Sequence, residues 1–393
     1  MTASIRAAAT AALFAVALAG TAGAQQGPEQ QFSAAVDLLR AGRASDALSA
    51  LESLTRREPT FRLGQLFYGE LLAALAGVRR DALIPQGPDT DPRLRDLAEE
   101  ARMRLAGERS APAPGLVPSA FLQLSRGFEH AVVVDLPKAR LYVVQNDGSG
   151  MHVVRHHYAA MGRNGYGKQT AGDLRTPVGL YHVTQWIGDE ALPELYGAGA
   201  LPLDYPNAWD TLNKRTGSGI WLHGVPRDTY TRPPRSSEGC VTMANADLDA
   251  LRAYVKFGRT PVLLSDQLDW VPAGKVETLR DSFLKRIEDW RRKWSSKDTE
   301  GYLAYYADDF TVDGMDRKAF AAHKRRVNAS KKFIDVRLSD ISVFQYPGTG
   351  DEIYMAEFQM EYSSDNYAVT TRKNQFWRRN GSGSWQIVRE VNQ

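Results

Sequence analysis

Helix-breaking residues cut this chain twice, and the hydrophobic texture changes at each cut. The first break is Ala111-Pro112-Ala113-Pro114-Gly115 and the second Asp269-Trp270-Val271-Pro272-Ala273-Gly274. Before the first, over residues 32–105, apolar side chains recur every three or four positions (Ala35, Leu38, Leu39; Ala47, Leu48, Leu51, Leu54), the period of packed amphipathic helices. Between the breaks the spacing predicts short strands over 131–135, 141–144, 151–158, 178–186, 219–222 and 261–264. A helix is expected over 245–257, with Asn245 as its N-cap. After the second break come a helix over 276–294, a helix over 299–306, a basic helix near 317–326, and strands over 333–344, 353–362, 367–378 and 384–391. The reading is a multidomain α+β chain: a helical part over 30–109, a mostly-β domain over 120–268 and an α+β part over 275–393. The second break is expected to tolerate cutting.

The chain has 393 residues, and its first 24 read as a signal peptide: Arg6, an apolar run over 7–19, then Ala22-Gly23-Ala24 ahead of Gln25. That run is shorter than the roughly 20 residues a membrane span needs, and no later stretch approaches it. A periplasmic or otherwise extracytoplasmic soluble chain is expected, with no membrane span. With 49 Lys and Arg against 46 Asp and Glu, the formal charge of +3 is too balanced to suggest nucleic-acid binding. The sole cysteine, Cys240, excludes an internal disulfide and Cys-rich metal sites. In an oxidising compartment a lone thiol invites oxidation, so its presence asks for a reason.

Two flanking resemblances follow from the patterns. Gly42, Ala47, Leu51, Leu54 and Pro59 resemble the second half of a tetratricopeptide repeat; the alternative is an ordinary helical hairpin cap, since a solenoid needs three or more repeats. Either form offers a surface for a protein partner. The C-terminal helices and strands resemble the nuclear-transport-factor-like (SnoaL-like) cone fold, a shape with many uses. Trp290, Trp294, Phe310, Trp377 and Trp385 are expected to feed an apolar pocket there or to be core. This tail is expected to position substrate or a partner.

The chemistry concentrates in the middle. Ile220-Trp221-Leu222-His223-Gly224 ends a predicted strand, and Cys240 follows sixteen residues after Gly224, within Ser236-Ser237-Glu238-Gly239-Cys240-Val241. A thiol nucleophile needs a base beside it and N–H donors for the oxyanion. His223 can be the base, and Gly239 lets backbone approach a substrate. Alone, Cys240 reads equally as a small buried apolar side chain and His223 as a satisfied strand end; together, in an exported chain, they favour the reactive pair.

This stretch resembles the catalytic domain of the L,D-transpeptidase (YkuD) family. His223 matches the family's base, Gly224 the neighbour whose carbonyl orients it, Ser237 its Ser/Thr, Gly239 its glycine and Cys240 its nucleophile. Gly172-Asp173-Leu174-Arg175-Thr176-Pro177-Val178-Gly179-Leu180-Tyr181 matches the family's G-D-x-x-T-P-x-G-x-Y block. Glu238 stands where many members have His, and Thr242 where many have Arg.

The resemblance implies acyl transfer from peptidoglycan tetrapeptide stems through a Cys240 thioester, with D-Ala released and the oxyanion held by the Gly239 and Cys240 amides. The leading reading is an L,D-transpeptidase. Water as acceptor would make it an L,D-carboxypeptidase, the activity suggested by joining a YkuD to a nuclear-transport-factor-like domain; the third reading is a non-catalytic wall-binding scaffold. Ser237, Lys168, Arg232 and Arg235 are candidate substrate contacts, with Arg227 beside them. No cofactor or metal is expected: His152, His156 and His157 share one strand without an acidic partner at ligand spacing. A thiol beside histidine is expected to have a lowered pKa and to alkylate quickly at neutral pH.

Overall fold

The computed structural model describes residues 27–78, 91–109, 111–148 and 150–392; the signal-peptide reading falls outside them. Helices α1 (Pro28–Arg40), α2 (Ala44–Arg57), α3 (Arg62–Leu75) and α4 (Pro92–Arg109) close over Phe32, Leu51, Leu54, Phe61 and Leu63. Those residues are the predicted apolar stripes turned inward. Helix α4 packs back on α1 and α3, and the chain then leaves for a β domain. Among the described residues these four helices pack together as a cap, and a stack of tetratricopeptide repeats is not confirmed.

The middle of the chain supplies β1 (Leu116–Pro118), β2 (Phe121–Gln123), β3 (His130–Asp135), β4 (Arg140–Asn146), β5 (Met151–Tyr158), β6 (Met161–Gly162), β7 (Gly179–His182), β8 (Ile187–Gly188) and β9 (Gly199–Pro202). Helix α5 (Ala208–Leu212), β10 (Trp221–His223), β11 (Arg235–Ser237), β12 (Val241–Thr242), α6 (Asn245–Arg252), β13 (Pro261–Ser265) and β14 (Trp270–Pro272) follow. A five-stranded sheet runs β5-β4-β3-β13-β7 and a four-stranded one β12-β10-β9-β8. Strands β3 and β13 pair in parallel at the centre of the first. They are covered on both faces, which is why they read as unbroken apolar runs. The core between the sheets holds Val132, Leu141, Tyr181, Leu201, Leu222, Val241 and Leu248.

Helix α6 is shorter than expected, and Asn245 is not its cap: the N-cap is Ala244, without a side-chain bond. The Asn245 amide is committed elsewhere. Its Oδ1 accepts from the N–H groups of Ala198 and Val225 (3.0 and 3.1 Å), and its Nδ2 donates to the Val225 carbonyl at 2.9 Å. Two loops beside His223 are thereby joined.

The C-terminal part comprises α7 (Ala273–Ser295), α8 (Thr299–Leu303), β15 (Tyr306–Val312), β16 (Met315–Asp316), α9 (Arg317–Ser330), β17 (Ile334–Gln345), β18 (Ile353–Ser364), β19 (Ala368–Arg379) and β20 (Trp385–Asn392). The helix expected to reach 306 stops at Leu303, because Tyr306 is drawn into a strand whose ring packs on Phe310 and Phe320. The sheet runs β16-β15-β20-β19-β18-β17-β2. Its last member, β2, comes from the start of the middle part of the chain, ahead of β3.

That strand changes the meaning of both breaks. Strands β1 and β14 pair antiparallel, Leu116 opposite Pro272 and Pro118 opposite Trp270, and α7 begins at the next residue. The two breaks are zipped together, and a single apolar cluster crosses the seam, uniting Phe121, Phe128, Leu180, Trp209 and Leu263 with Phe344, Tyr346, Ile353 and Phe376. Trp209 stacks on Phe376 at 5.3 Å and Phe121 meets Phe344 edge-on at 5.6 Å. The expectation of a cuttable boundary at Gly274 is therefore corrected: the cut would strip one side of a shared core. His182 also bridges the seam, between Asp204 (3.5 Å) and Glu357 (3.3 Å), with Arg372 on the other Glu357 oxygen.

Candidate active site

Parallel pairing of β10 with β12, Leu222 opposite Val241 and His223 opposite Thr242, brings His223 next to the strand that Cys240 opens. The intervening loop is long because the strands run the same way and the chain must return to the same edge. His223 is buried. Its Nδ1 donates to the Gly224 carbonyl at 2.7 Å, a tautomer that leaves Nε2 as the proton acceptor. A side chain at Gly224 would collide with Asn245 Oδ1 and lie 2.9 Å from the Tyr196 carbonyl.

The turn before Cys240 is held by its own residues. Ser237 Oγ donates to the Cys240 carbonyl at 2.6 Å and accepts from the Gly239 N–H at 3.1 Å. Gly239 has φ +128, and a Cβ there would come within 2.8 Å of the Arg175 carbonyl; only glycine fits. Two expectations change here. Ser237, 3% exposed, shapes the turn instead of meeting substrate. The Gly239 N–H is already spent on Ser237, so it is not a free oxyanion donor.

The Cys240 thiol donates to the Gly219 carbonyl at 3.4 Å. Burial pushes it up to about 11, against the opposing pull of the Trp221 N–H, Arg232 and Lys168, while Glu238 adds to the rise. Burial likewise lowers His223 to about 4, opposed by its Gly224 bond and aided by Arg232. The expected low-pKa thiolate is thus corrected: desolvation outweighs the nearby cations, and the resting pair is neutral thiol and neutral imidazole.

The candidate cations divide. Arg232 is half-buried, faces the thiol's field, and donates from Nη2 to the Leu195 carbonyl at 3.2 Å. Lys168 is buried and bound to Asp173 (2.8 Å) and the Thr170 carbonyl (3.0 Å). Asp173 also accepts from the N–H groups of Gln169, Thr170 and Arg175; burial opposes these bonds, yet they hold its carboxyl at about 2. The Gly172–Tyr181 block is thus a knotted floor. Arg235 is committed to Glu99 of α4 at 2.7 Å, and Arg227 to Asp189. Both pairs tie the loop to neighbouring segments. Thr242 lies buried in β12, its backbone bonded to Ala160, so no cation stands there.

Tyr196 and Trp221 escaped the sequence reading. The Tyr196 ring meets His223 edge-on at 4.9 Å and Trp221 at 5.0 Å. Nothing in Pro193-Glu194-Leu195-Tyr196 marks this, because the contact is made by a loop folding back over β10. Of the histidines on β5, His157 pairs with Asp247 at 2.9 Å; among the described residues no cluster of His, Cys, Asp and Glu could hold a metal ion.

The C-terminal cone has a cavity of about 460 Å³, lined by Trp294, Phe320, His323, Lys324, Lys373 and Glu390 among others. Of the two expectations for the aromatics, Trp290, Phe310 and Trp377 take the core, Trp294 also lines the cavity, and the cavity carries charged side chains on its walls. Burial lowers Lys324 to about 8.

Residues 129–264 match the L,D-transpeptidase catalytic domain, YkuD, and residues 282–391 match the Cds6 C-terminal NTF2-like domain. The chain therefore carries a YkuD domain, of the peptidoglycan-modifying L,D-peptidase type, followed by an NTF2-like domain. Among solved structures it is similar to Bdellovibrio bacteriovorus Bd1075, at 28% identity over 70% of this chain and 98% of that one, with a TM-score of 0.62. It shares its fold with the helical cell shape determining protein Pgp2 from Campylobacter jejuni, at 22% identity over 75% of this chain and 99% of that one, with a TM-score of 0.57. No curated protein sequence matches it. Among the described residues no helix is long and apolar enough to cross a membrane.

Proposed function

We propose that this chain is an exported L,D-transpeptidase that works through Cys240. The observation that supports the reading is the pairing of β10 with β12, which puts His223, its Nδ1 bonded to the Gly224 carbonyl, on the strand next to the one that Cys240 opens. The Cys240 S–H proton passes to His223 Nε2 as sulfur attacks the carbonyl of the L-centred residue preceding the terminal D-Ala. The Cys240 N–H is the proposed oxyanion donor, since Gly239's is engaged. As the C–N bond breaks, His223 returns the proton to the departing D-Ala amine and a thioester remains. An amine acceptor, deprotonated by His223, then gives a cross-link and regenerates the thiol; water in its place gives a tripeptide, the L,D-carboxypeptidase outcome.

Lys168 and Arg232 favour the thiolate as it forms, and the charged cavity of the NTF2-like domain is proposed to hold part of the substrate or a partner. The fold shared with the helical cell shape determining protein Pgp2 extends the proposal to cell shape. Incubation with disaccharide tetrapeptide, read by mass, tests it: dimers are expected, loss of one D-Ala alone assigns the carboxypeptidase, and an unaltered substrate refutes the enzyme. Cys240→Ala should abolish turnover, and His223→Ala should lower acylation by about 10²–10⁴ with an unchanged melting temperature. Because the working pair is neutral thiol and imidazole, kcat/KM should hold a plateau between the His223 value of about 4 and the Cys240 value of about 11. A rate that climbs instead through this range towards a centre near 11 would mean a preformed thiolate attacks.

A further inference from the structure

The loop between His223 and Cys240 is held from the outside by the helical cap. Arg104 of α4, fully buried, is the hub. Its Nε bonds Glu100 at 2.9 Å, its Nη1 bonds Glu29 at 3.1 Å, and its Nη2 donates to Thr231 Oγ1 at 2.7 Å. The Thr231 hydroxyl donates onward to Glu100 at 2.8 Å. The guanidinium also lies 3.9 Å over the Tyr158 ring, whose hydroxyl donates to the Arg232 carbonyl at 3.0 Å. Tyr230, one residue earlier, packs on Phe61 at 4.6 Å and bonds the Thr60 carbonyl.

Three consecutive loop residues are thus each anchored by the cap or by a group the cap holds. On its other side the loop grips the segment over 189–196: Arg232 Nη2 on the Leu195 carbonyl, the Arg227 N–H on Glu194 at 2.9 Å, and Arg227 on Asp189. That segment carries Tyr196 against His223. Most of these contacts are directional hydrogen bonds, so together they fix a position as well as adding stability.

We propose that the helical cap is a positioning clamp for acyl transfer: Arg104, acting through Thr231 and Tyr158, sets the loop that carries Arg232 and so holds Tyr196 against His223. This rests on the Cys240–His223 reading. A clamp of this kind makes catalysis depend on docking of the cap, because a displacement of about 1 Å at a reacting group costs on the order of 10²-fold in rate.

The test uses the full chain with Thr231→Val, which removes one hydroxyl and leaves Arg104 paired with Glu29 and Glu100. The expected result is a melting temperature near wild type, kcat on tetrapeptide down about tenfold or more at unchanged KM, and recovery in Thr231→Ser. Arg104→Lys, which keeps the charge and loses the fork, should show the same split. Iodoacetamide labelling of Cys240 against pH gives a readout independent of turnover. Its profile should move to higher pH in Thr231→Val, because Arg232 no longer favours the thiolate. Wild-type kcat and labelling in both variants would overturn the clamp, as would a loss that follows the melting temperature and is not recovered by serine. If the wild-type protein leaves tetrapeptide untouched, the acyl-transfer reading falls by itself, and the labelling profile alone still decides whether the cap sets the loop.

Discussion

Against the NTF2-like domain, whose sheet β2 joins with Phe121, the catalytic domain presents Leu180, Trp209 and Leu263; against the helical cap it presents Arg140, Tyr158 and Thr231. The first seam is chiefly a cluster of aromatic and aliphatic side chains that merges two domains into one core. The second is centred on a buried network in which Glu29 joins Arg104 and Arg140, and Arg140 also donates to the Arg104 carbonyl. Apolar burial is non-directional and grows with area. A buried ion network adds little over apolar replacements, yet strands its partners when one member goes. One seam supplies stability, and the other supplies geometry.

The largest expected effect breaks the apolar seam. Ending the chain at Gly274 removes Phe344, Tyr346, Ile353 and Phe376 from the shared cluster and β17 from β2. We expect no cooperative unfolding transition by circular dichroism; a well-folded, acylating product would show that the domains are separable after all. Within the intact chain, Phe344→Ala should cost roughly 3–5 kcal/mol in urea unfolding. Arg104→Ala should cost about as much, roughly 3–5 kcal/mol, for a different reason: buried Glu100 loses its guanidinium partner and Glu29 keeps only Arg140. The comparison sharpens on rescue, for Arg104→Met combined with Glu100→Gln, with Glu29 kept as the partner of Arg140, should return most of that loss. Failure to recover would mean that the cap's seam is held by net charge attraction.

A smaller effect separates the seams by pH. Burial alone would lower His182, but its Asp204 and Glu357 partners raise it to about 10. Its contribution is therefore full below its unfolded value near 6.5 and is lost as pH rises towards 10. Burial opposes the lowering of Glu29, but Arg104 and Arg140 prevail, so its contribution is full above the ordinary carboxylate value and fades as pH falls. Alkali should loosen the NTF2-like seam and acid the cap. Comparing wild type with His182→Gln should show a reduced alkaline loss in the variant; identical alkaline slopes would remove His182 from the account.

The parts of the fold that were legible in the sequence are those that local chemistry decides. The strands expected over 353–362 and 367–378 follow from alternation and turn residues and match β18 and β19 to within two residues, and Gly239-Cys240 with His223-Gly224 stand out through residue types needed at short range. What stayed hidden depends on distance along the chain. Tyr196 reaches His223 only because a loop folds back, and Asn245 looks like a cap until two remote loops claim its amide. The direction of the Cys240 shift was misread because a neighbouring base is visible in sequence whereas desolvation is not. The Pro- and Gly-rich stretches look like linkers, but β1 and β14 become each other's partners.

Strand β2 gives the order of synthesis a structural role. Gln123 bonds the Ile341 carbonyl across 218 residues of chain. The N-terminal strand of the C-terminal sheet is made early and waits, together with the apolar face of Trp209 and Leu263, until β17 and β19 have been made. During that interval the nascent protein displays a surface of the kind chaperones and proteases recognise. A chain that ends before β17 leaves that surface uncovered, so the shared core closes only when the C-terminal sheet is present.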